Sequence, residues 1–169
     1  MKKLHLGFLL LAATVIFNAP KAIAQKWENG DTRLNIGLGR IYGLGVVGSI
    51  DKGIADEISV GIGASISRYG YLGYNSTYFS VGGRGSYHLG KVLEDANIKM
   101  DKLDLYIGLN VGYFFGSDNS LWGSYNNGIR GLDFGGHGGL RYQLNDKINL
   151  MAESGFPYSS LGLSFKLGK

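Results

Sequence analysis

The chain has no cysteine among its 169 residues. That excludes a disulfide scaffold and any thiolate metal centre. Proline occurs only twice, so proline-rich spacers are excluded, and no strict third-residue glycine period exists to support a collagen reading. Basic residues outnumber acidic ones by 17 to 13. Three of the bases, Lys2, Lys3 and Lys21, lie in the first 24 residues, and no basic face is clustered elsewhere. A nucleic-acid partner is therefore not expected. Helical stripes longer than a turn or two are also missing after residue 24, which removes helical bundles and doubly wound folds.

What the chain does have is glycine, 29 residues of it, interleaved with aromatic and β-branched residues in period-two runs. In "KLDLYIGLNVGYFF", Leu103, Leu105, Ile107, Leu109, Val111, Tyr113 and Phe115 share one side of an extended strand. Asp104, Tyr106, Gly108, Asn110, Gly112 and Phe114 share the other. "EISVGIGASIS", "RGLDFGGHGGLRYQL" and "SSLGLSFKLGK" repeat the pattern. Such runs predict eight strands, at 32–41, 44–51, 57–69, 78–89, 102–116, 129–144, 148–156 and 160–167. The second is the least regular, because "GLGVVGSID" has apolar residues in both registers. Between the fourth and fifth strands, the spacing of Val92, Leu93 and Ala96 allows a short helical turn.

Lys2 and Lys3, the apolar run "LGFLLLAATVIF" and the small residues Ala22-Ile23-Ala24 read as an export signal, residues 1–24, with cleavage before Gln25. Residues 25–169 then form one domain. An even number of antiparallel strands behind an export signal fits a closed barrel. An open edge in lipid leaves backbone groups without partners.

Alternation alone does not say which face meets lipid. The polar sides of these strands carry Gly, Ser and Asn with few charges, whereas a soluble barrel needs Lys and Glu outside. Small residues suit a crowded lumen, where alternate glycines make room for larger polar neighbours. Aromatics gather at strand ends: Tyr42, Tyr69, Tyr71, Phe79, Tyr113, Phe115, Phe156 and Tyr158 at one, and Tyr87, Tyr142 and Phe165 at the other. Two such girdles are expected where rings meet lipid headgroups. The fold class predicted is all-β, an eight-stranded antiparallel up-and-down transmembrane β-barrel. The charged turns near 51–57, 90–101 and 145–147 would face the periplasm, and the Tyr-rich loops the exterior.

In their order, "YHLGK", "KLDLYIGLNVGYFF", "GGLRYQLNDKINLMAESGF" and "LGLSFKL" resemble the small outer-membrane β-barrels of the OmpA/OmpX kind, in the form common in Bacteroidetes-type bacteria. The resemblance implies residence in the Gram-negative outer membrane, contact with its lipid and lipopolysaccharide, and delivery by periplasmic chaperones to the barrel-assembly machinery. Ser160, Gly162, Phe165 and Leu167 are similar to the family's terminal assembly signal, although here the chain runs on through Gly168 and Lys169.

Candidate chemistry is sparse. Arg141, Glu153 and Lys166, together with Arg84, Asp104 and Asp133, point toward the lumen and read as a charge cluster in which burial demands pairing. A simple hairpin register sets Glu153 opposite Gly139 and Ser164, with Arg141 and Lys166 diagonal to it. His88 and His137 read as hydrogen-bonding lumen residues, and no set of ligands points to a metal or cofactor. Tyr71, Tyr74, Trp122 and Tyr125, in loops 70–77 and 117–128, are candidate contacts for an unidentified extracellular ligand. The function expected is non-enzymatic, structural or surface-interacting. The alternatives are a lipid-modifying enzyme and a narrow conduit for small apolar molecules.

Overall fold

Each strand's alternation sorts its side chains onto two faces, and closing the sheet turns one face inward. The computed structural model describes residues 27–40, 44–71, 74–98, 102–119, 130–156 and 158–168. The predicted export signal and Tyr42 lie outside the described residues. The strands are β1 (Thr32–Arg40), β2 (Leu44–Ala55), β3 (Ile58–Tyr71), β4 (Tyr74–His88), β5 (Leu103–Asn119), β6 (Arg130–Gln143), β7 (Ile148–Gly155) and β8 (Ser159–Gly168). They pair antiparallel in chain order, and β8 returns to β1 to close the barrel. The single short helix described, α1 (Gly90–Asp95), occupies the predicted helical turn. Among the described residues no helix is long and apolar enough to cross a membrane.

Followed one way from Leu38, the register passes Val46, Ile66 and Phe79 to reach Phe115 of β5. Followed the other way, it passes Leu161, Ala152 and Leu140 to reach Leu105 of the same strand. That stagger of ten residues over eight strands inclines the strands by about 40–45° and leaves an interior only as wide as its own side chains.

The faces are inverted relative to a soluble protein. Ile62, Leu109, Val111, Leu132, Phe134 and Leu161 are among the large exposed side chains. Arg33, Asp51, His88, Asp104, Arg141 and Glu153 are buried. Among the strand side chains the structure describes, the exposed charges on the outward face are Lys52 and Arg68, which lie toward opposite ends of the barrel. The band between them is apolar, as a bilayer requires. Phe79, Tyr113, Phe115 and Phe156 lie outward near one end and Tyr87 near the other, as the girdle reading expects. Tyr158 departs from it. It is buried, with its hydroxyl beside Arg84, because the tight β7–β8 turn carries it over the barrel mouth and inward.

The two ends differ. At the base, where β1 begins and β8 ends, the strands finish nearly level. At the opposite rim, β3–β4 pairing runs on to Tyr71↔Tyr74 and β4–β5 to Asn75↔Asn119, while β7–β8 pairing stops at Glu153↔Ser160. Among the described residues β6 is paired on its β7 side from His137 to Gln143, with one further bond from the Phe156 N–H to the Gly136 carbonyl. Gly135 lies against the Phe156 backbone, and Arg130–Phe134, roughly 16 Å of strand at about 3.3 Å per residue, continues beyond the β7–β8 pairing. Several strands also outrun their predicted ends: β2 reaches Ala55, β4 starts at Tyr74 and β5 reaches Asn119. The polar residues there read as loop, yet their backbones continue the ladder.

Candidate functional site: the lumen network

Inward residues of β1 to β7 converge on one buried polar network. Arg84 on β4 directs both terminal nitrogens at Glu153 on β7, at 3.1 and 2.5 Å, and its Nε faces Asp51 on β2 at 3.2 Å. Arg141 on β6 bridges Asp51 at 3.2 Å and Asp104 at 3.1 Å while its guanidinium lies 4.1 Å from the Tyr106 ring centroid. The Tyr106 hydroxyl donates to Glu153 at 2.8 Å. Asn35 donates to Asp51 at 2.7 Å and to Ser49 at 2.9 Å. Nearly every charge is thus matched within the low-dielectric interior, which is the condition for burying it at all.

Glycine makes the fit possible. A side chain at Gly139 would occupy the place of the Tyr106 ring, and one at Gly108 would meet the His137 imidazole. This is the lumen role expected for the alternate glycines.

Five of the six charges predicted to cluster do enter paired contacts, but Lys166 joins a different group. Its ammonium lies 3.0 Å from Asp31, and it is part-exposed at the base. The predicted hairpin register is corrected here: Glu153 faces Gly139 as expected but Ser160, not Ser164, on β8. The turn between β7 and β8 is tighter than "GFPYSS" suggested, and each residue removed from a turn slides the facing strand. Asp133, the sixth, is buried on the same wall but contacts no base among the described residues.

Sequence reasoning missed the stopper at the base. Trp27 is 1% exposed; its indole stacks on His88 at 4.2 Å and lies under the guanidinium groups of Arg33, at 4.6 Å, and Arg141, at 5.4 Å. Its carbonyl accepts from the Glu57 N–H. Lying ahead of β1, Trp27 belongs to no alternating run, so no period marks it. Arg33, Asn35 and Asp51 were legible as inward residues of their strands, but nothing local names their partners.

His88 deserves chemical scrutiny, because Ser59 Oγ lies 3.0 Å from its Nε2 and Asp104 Oδ1 2.8 Å from its Nδ1. That is the connectivity of a Ser–His–Asp triad. Three features oppose catalysis: all three residues are almost fully buried, Trp27 covers the imidazole, and Ser59 sits within paired ladders to β2 and β4. Ladder N–H groups already bonded to carbonyls leave no donors for an oxyanion. His137, with Ser86 at 2.8 Å, fits the predicted hydrogen-bonding role.

Of the candidate loop contacts, Tyr71 and Tyr74 form the last pair of the β3–β4 hairpin, so they are strand and not loop. Trp122 and Tyr125 lie outside the described residues. Ser160, Gly162, Phe165 and Leu167 lie along β8, the strand that closes the barrel against β1.

A closed eight-stranded barrel with an apolar exterior and an ion-paired interior defines the class of small transmembrane β-barrels. No family model matches the chain, and no curated protein matches its sequence. Solved structures do match. The outer-membrane protein OprG of Pseudomonas aeruginosa aligns with a TM-score of 0.63 at 11% identity, over 87% of this chain and 100% of that one. The N-terminal β-barrel domain of OprF from the same organism gives 0.57 at 13% identity, over 85% and 100%. Ail, the attachment invasion locus protein of Yersinia pestis, gives 0.54 at 13%, over 82% and 99%. At such identities the likeness establishes the fold.

Proposed function

We propose that the chain is a non-enzymatic integral protein of the Gram-negative outer membrane whose outer end makes surface contacts. The observation that carries this reading is the uneven rim. Paired strands β3–β6 rise above the β7–β8 hairpin, and the upper β6 edge offers main-chain groups of the kind an extended segment pairs with. The rim aromatics Phe79, Tyr113 and Phe115 would lie among outer-leaflet lipid and lipopolysaccharide. Residues 1–24 would direct export, and periplasmic chaperones and the assembly machinery would receive the chain through Ser160, Gly162, Phe165 and Leu167.

The conduit alternative is disfavoured because the Arg84–Glu153, Asp51 and Arg141 contacts cross the lumen and Trp27 covers its base. The enzyme alternative is disfavoured because the Ser59–His88–Asp104 set has no route for a substrate.

The test is cell fractionation of the full chain, followed by deletion of residues 120–129. Sedimentation with the outer membrane, retained heat-modifiable gel mobility and lost attachment of expressing cells to host surfaces are the expected results. A chain that stays in the soluble fraction, or a trimmed chain that attaches as before, contradicts the reading.

A further inference from the structure

Above the ion-paired network, the lumen holds a small chamber of about 20 Å³, lined by Gly63, Ser80, Arg84, Asn110, Asp133 and Tyr158 among others. Asp133 and Asn110 stand diagonally on the β5–β6 pair. Across that pair Asp133 faces Gly112 and Asn110 faces Gly135; on its β4 side Asn110 faces Arg84, whose guanidinium is turned away to Glu153 and Asp51. Both are at least nine-tenths buried, and the Oδ1 of each has no hydrogen-bond partner. Asn110 has no freedom to turn its amide around, because its Nδ2 donates to the Phe156 carbonyl at 3.0 Å. Its oxygen is therefore held as the free atom.

The charges of the interior sharpen the case. Asp31 faces Lys166 and Arg33, Asp51 faces Arg84 and Arg141, Asp104 faces Arg141 and His88, and Glu153 faces Arg84. Asp133 alone among these inward acids contacts no base among the described residues. A buried carboxylate without a counter-charge is costly and must find one or take up a proton.

We propose that Asp133 and Asn110 together hold one monovalent hard cation, sodium or potassium, in the rim half of the lumen. The available donors are oxygens, which suits hard cations rather than imidazole- or thiolate-seeking metals. A single carboxylate balances a single positive charge. A space of this volume admits about one water-sized body, whereas Mg²⁺ keeps several waters in a near-octahedral shell and would need more room. Asn110 also holds the Phe156 carbonyl, and Tyr158 lines the chamber. The bound ion would therefore fasten the low β7–β8 hairpin to the β5–β6 wall.

Thermal unfolding of the full chain in detergent micelles tests this at neutral pH and fixed ionic strength, in sodium, potassium, calcium or choline chloride. Sodium or potassium is expected to raise the midpoint over choline, which is too large to enter, by about 2–4 °C and saturably. Asp133→Asn should abolish the difference. Asn110→Asp, with a second carboxylate, should shift the preference toward calcium. Equal midpoints in sodium, potassium and choline would overturn the proposal and leave Asp133 as a protonated acid. An undiminished sodium effect in Asp133→Asn would overturn it too. Should that variant fail to fold, Asn110→Leu serves instead, and an unchanged half-saturation would be equally fatal.

Discussion

Removing Glu153 probes the network where its consequences can be worked out. The carboxylate accepts two bonds from Arg84 and one from Tyr106, and it is 5% exposed. In Glu153→Ala the Arg84 guanidinium keeps one carboxylate, Asp51, which it shares with Arg141, and the Tyr158 hydroxyl at 3.3 Å, while the Tyr106 hydroxyl loses its acceptor. Breaking a buried pair from one side costs about 3–5 kcal/mol. An orphaned hydroxyl costs about 1–3 kcal/mol, much of it overlapping with the first loss. The expected destabilisation is thus about 3–5 kcal/mol, a large share of the 5–15 kcal/mol that typically separates folded from unfolded states.

The double variant Arg84→Met/Glu153→Leu separates pairing from packing. Replacing both partners by apolar side chains of similar volume is often close to neutral. The double variant should then be more stable than Glu153→Leu alone, with a coupling energy of about 2–3 kcal/mol across the cycle completed by Arg84→Met. Urea unfolding in lipid vesicles, followed by tryptophan fluorescence and by heat-modifiable gel mobility, reads both quantities. If Glu153→Ala lies within about 1 kcal/mol of the parent, or the two sites combine additively to within about 0.5 kcal/mol, then water solvates the lumen charges and the network is not the counterpart of a core.

Lys166→Ala should cost about 1–3 kcal/mol by the same urea assay, because its ammonium is part-exposed while the buried Asp31 carboxylate it faces keeps Arg33 at 3.9 Å. Arg141→Ala, which strips a fully buried bridge from Asp51 and Asp104, should cost about 3–5 kcal/mol. Gly139→Ala should destabilise by about 1–3 kcal/mol, since its methyl group displaces the Tyr106 ring; Gly138→Ala, on the outward face with only ordinary contacts, is the control. A fluorophosphonate probe should leave Ser59 unlabelled in the folded barrel, and labelling detected by mass spectrometry would revive the enzyme reading.

Much of the barrel was legible because one period governs each strand. Leu103 to Phe115 could be assigned to lipid and Asp104 to Gly112 to the lumen from their alternation, and the structure keeps that division. Strand ends were less legible. At Tyr74–Thr77 and Ser117–Asn119 the residues are polar and carry no outward hydrophobic signal, and they are strand because the neighbouring strand extends far enough to pair with them. β2 shows a different limit: Val47 is buried inside and Val46 exposed outside, so hydrophobicity alone gave no register.

The lumen network was illegible for a geometric reason. A strand's sequence says that Asp51 or Arg84 points inward, but the partner across the lumen is set by the stagger of the whole barrel. Asp51 and Arg141 are 90 residues apart, and Arg84 and Glu153 are 69 apart. An error in a single hairpin slides every later strand along its neighbour, as the displaced expectation for Lys166 shows. The pairing of inward charges is therefore a sharper report on register than the apolar exterior, where a slip of two residues restores the same pattern. Exchanging Asp51 with Arg84, which occupy neighbouring inward positions, should largely preserve their mutual contact while setting Arg84→Asp against Glu153 and Asp51→Arg against Arg141. A barrel that tolerates this exchange, judged by unchanged urea unfolding, would have its charges arranged by chance inclusion and not by selection of the stagger.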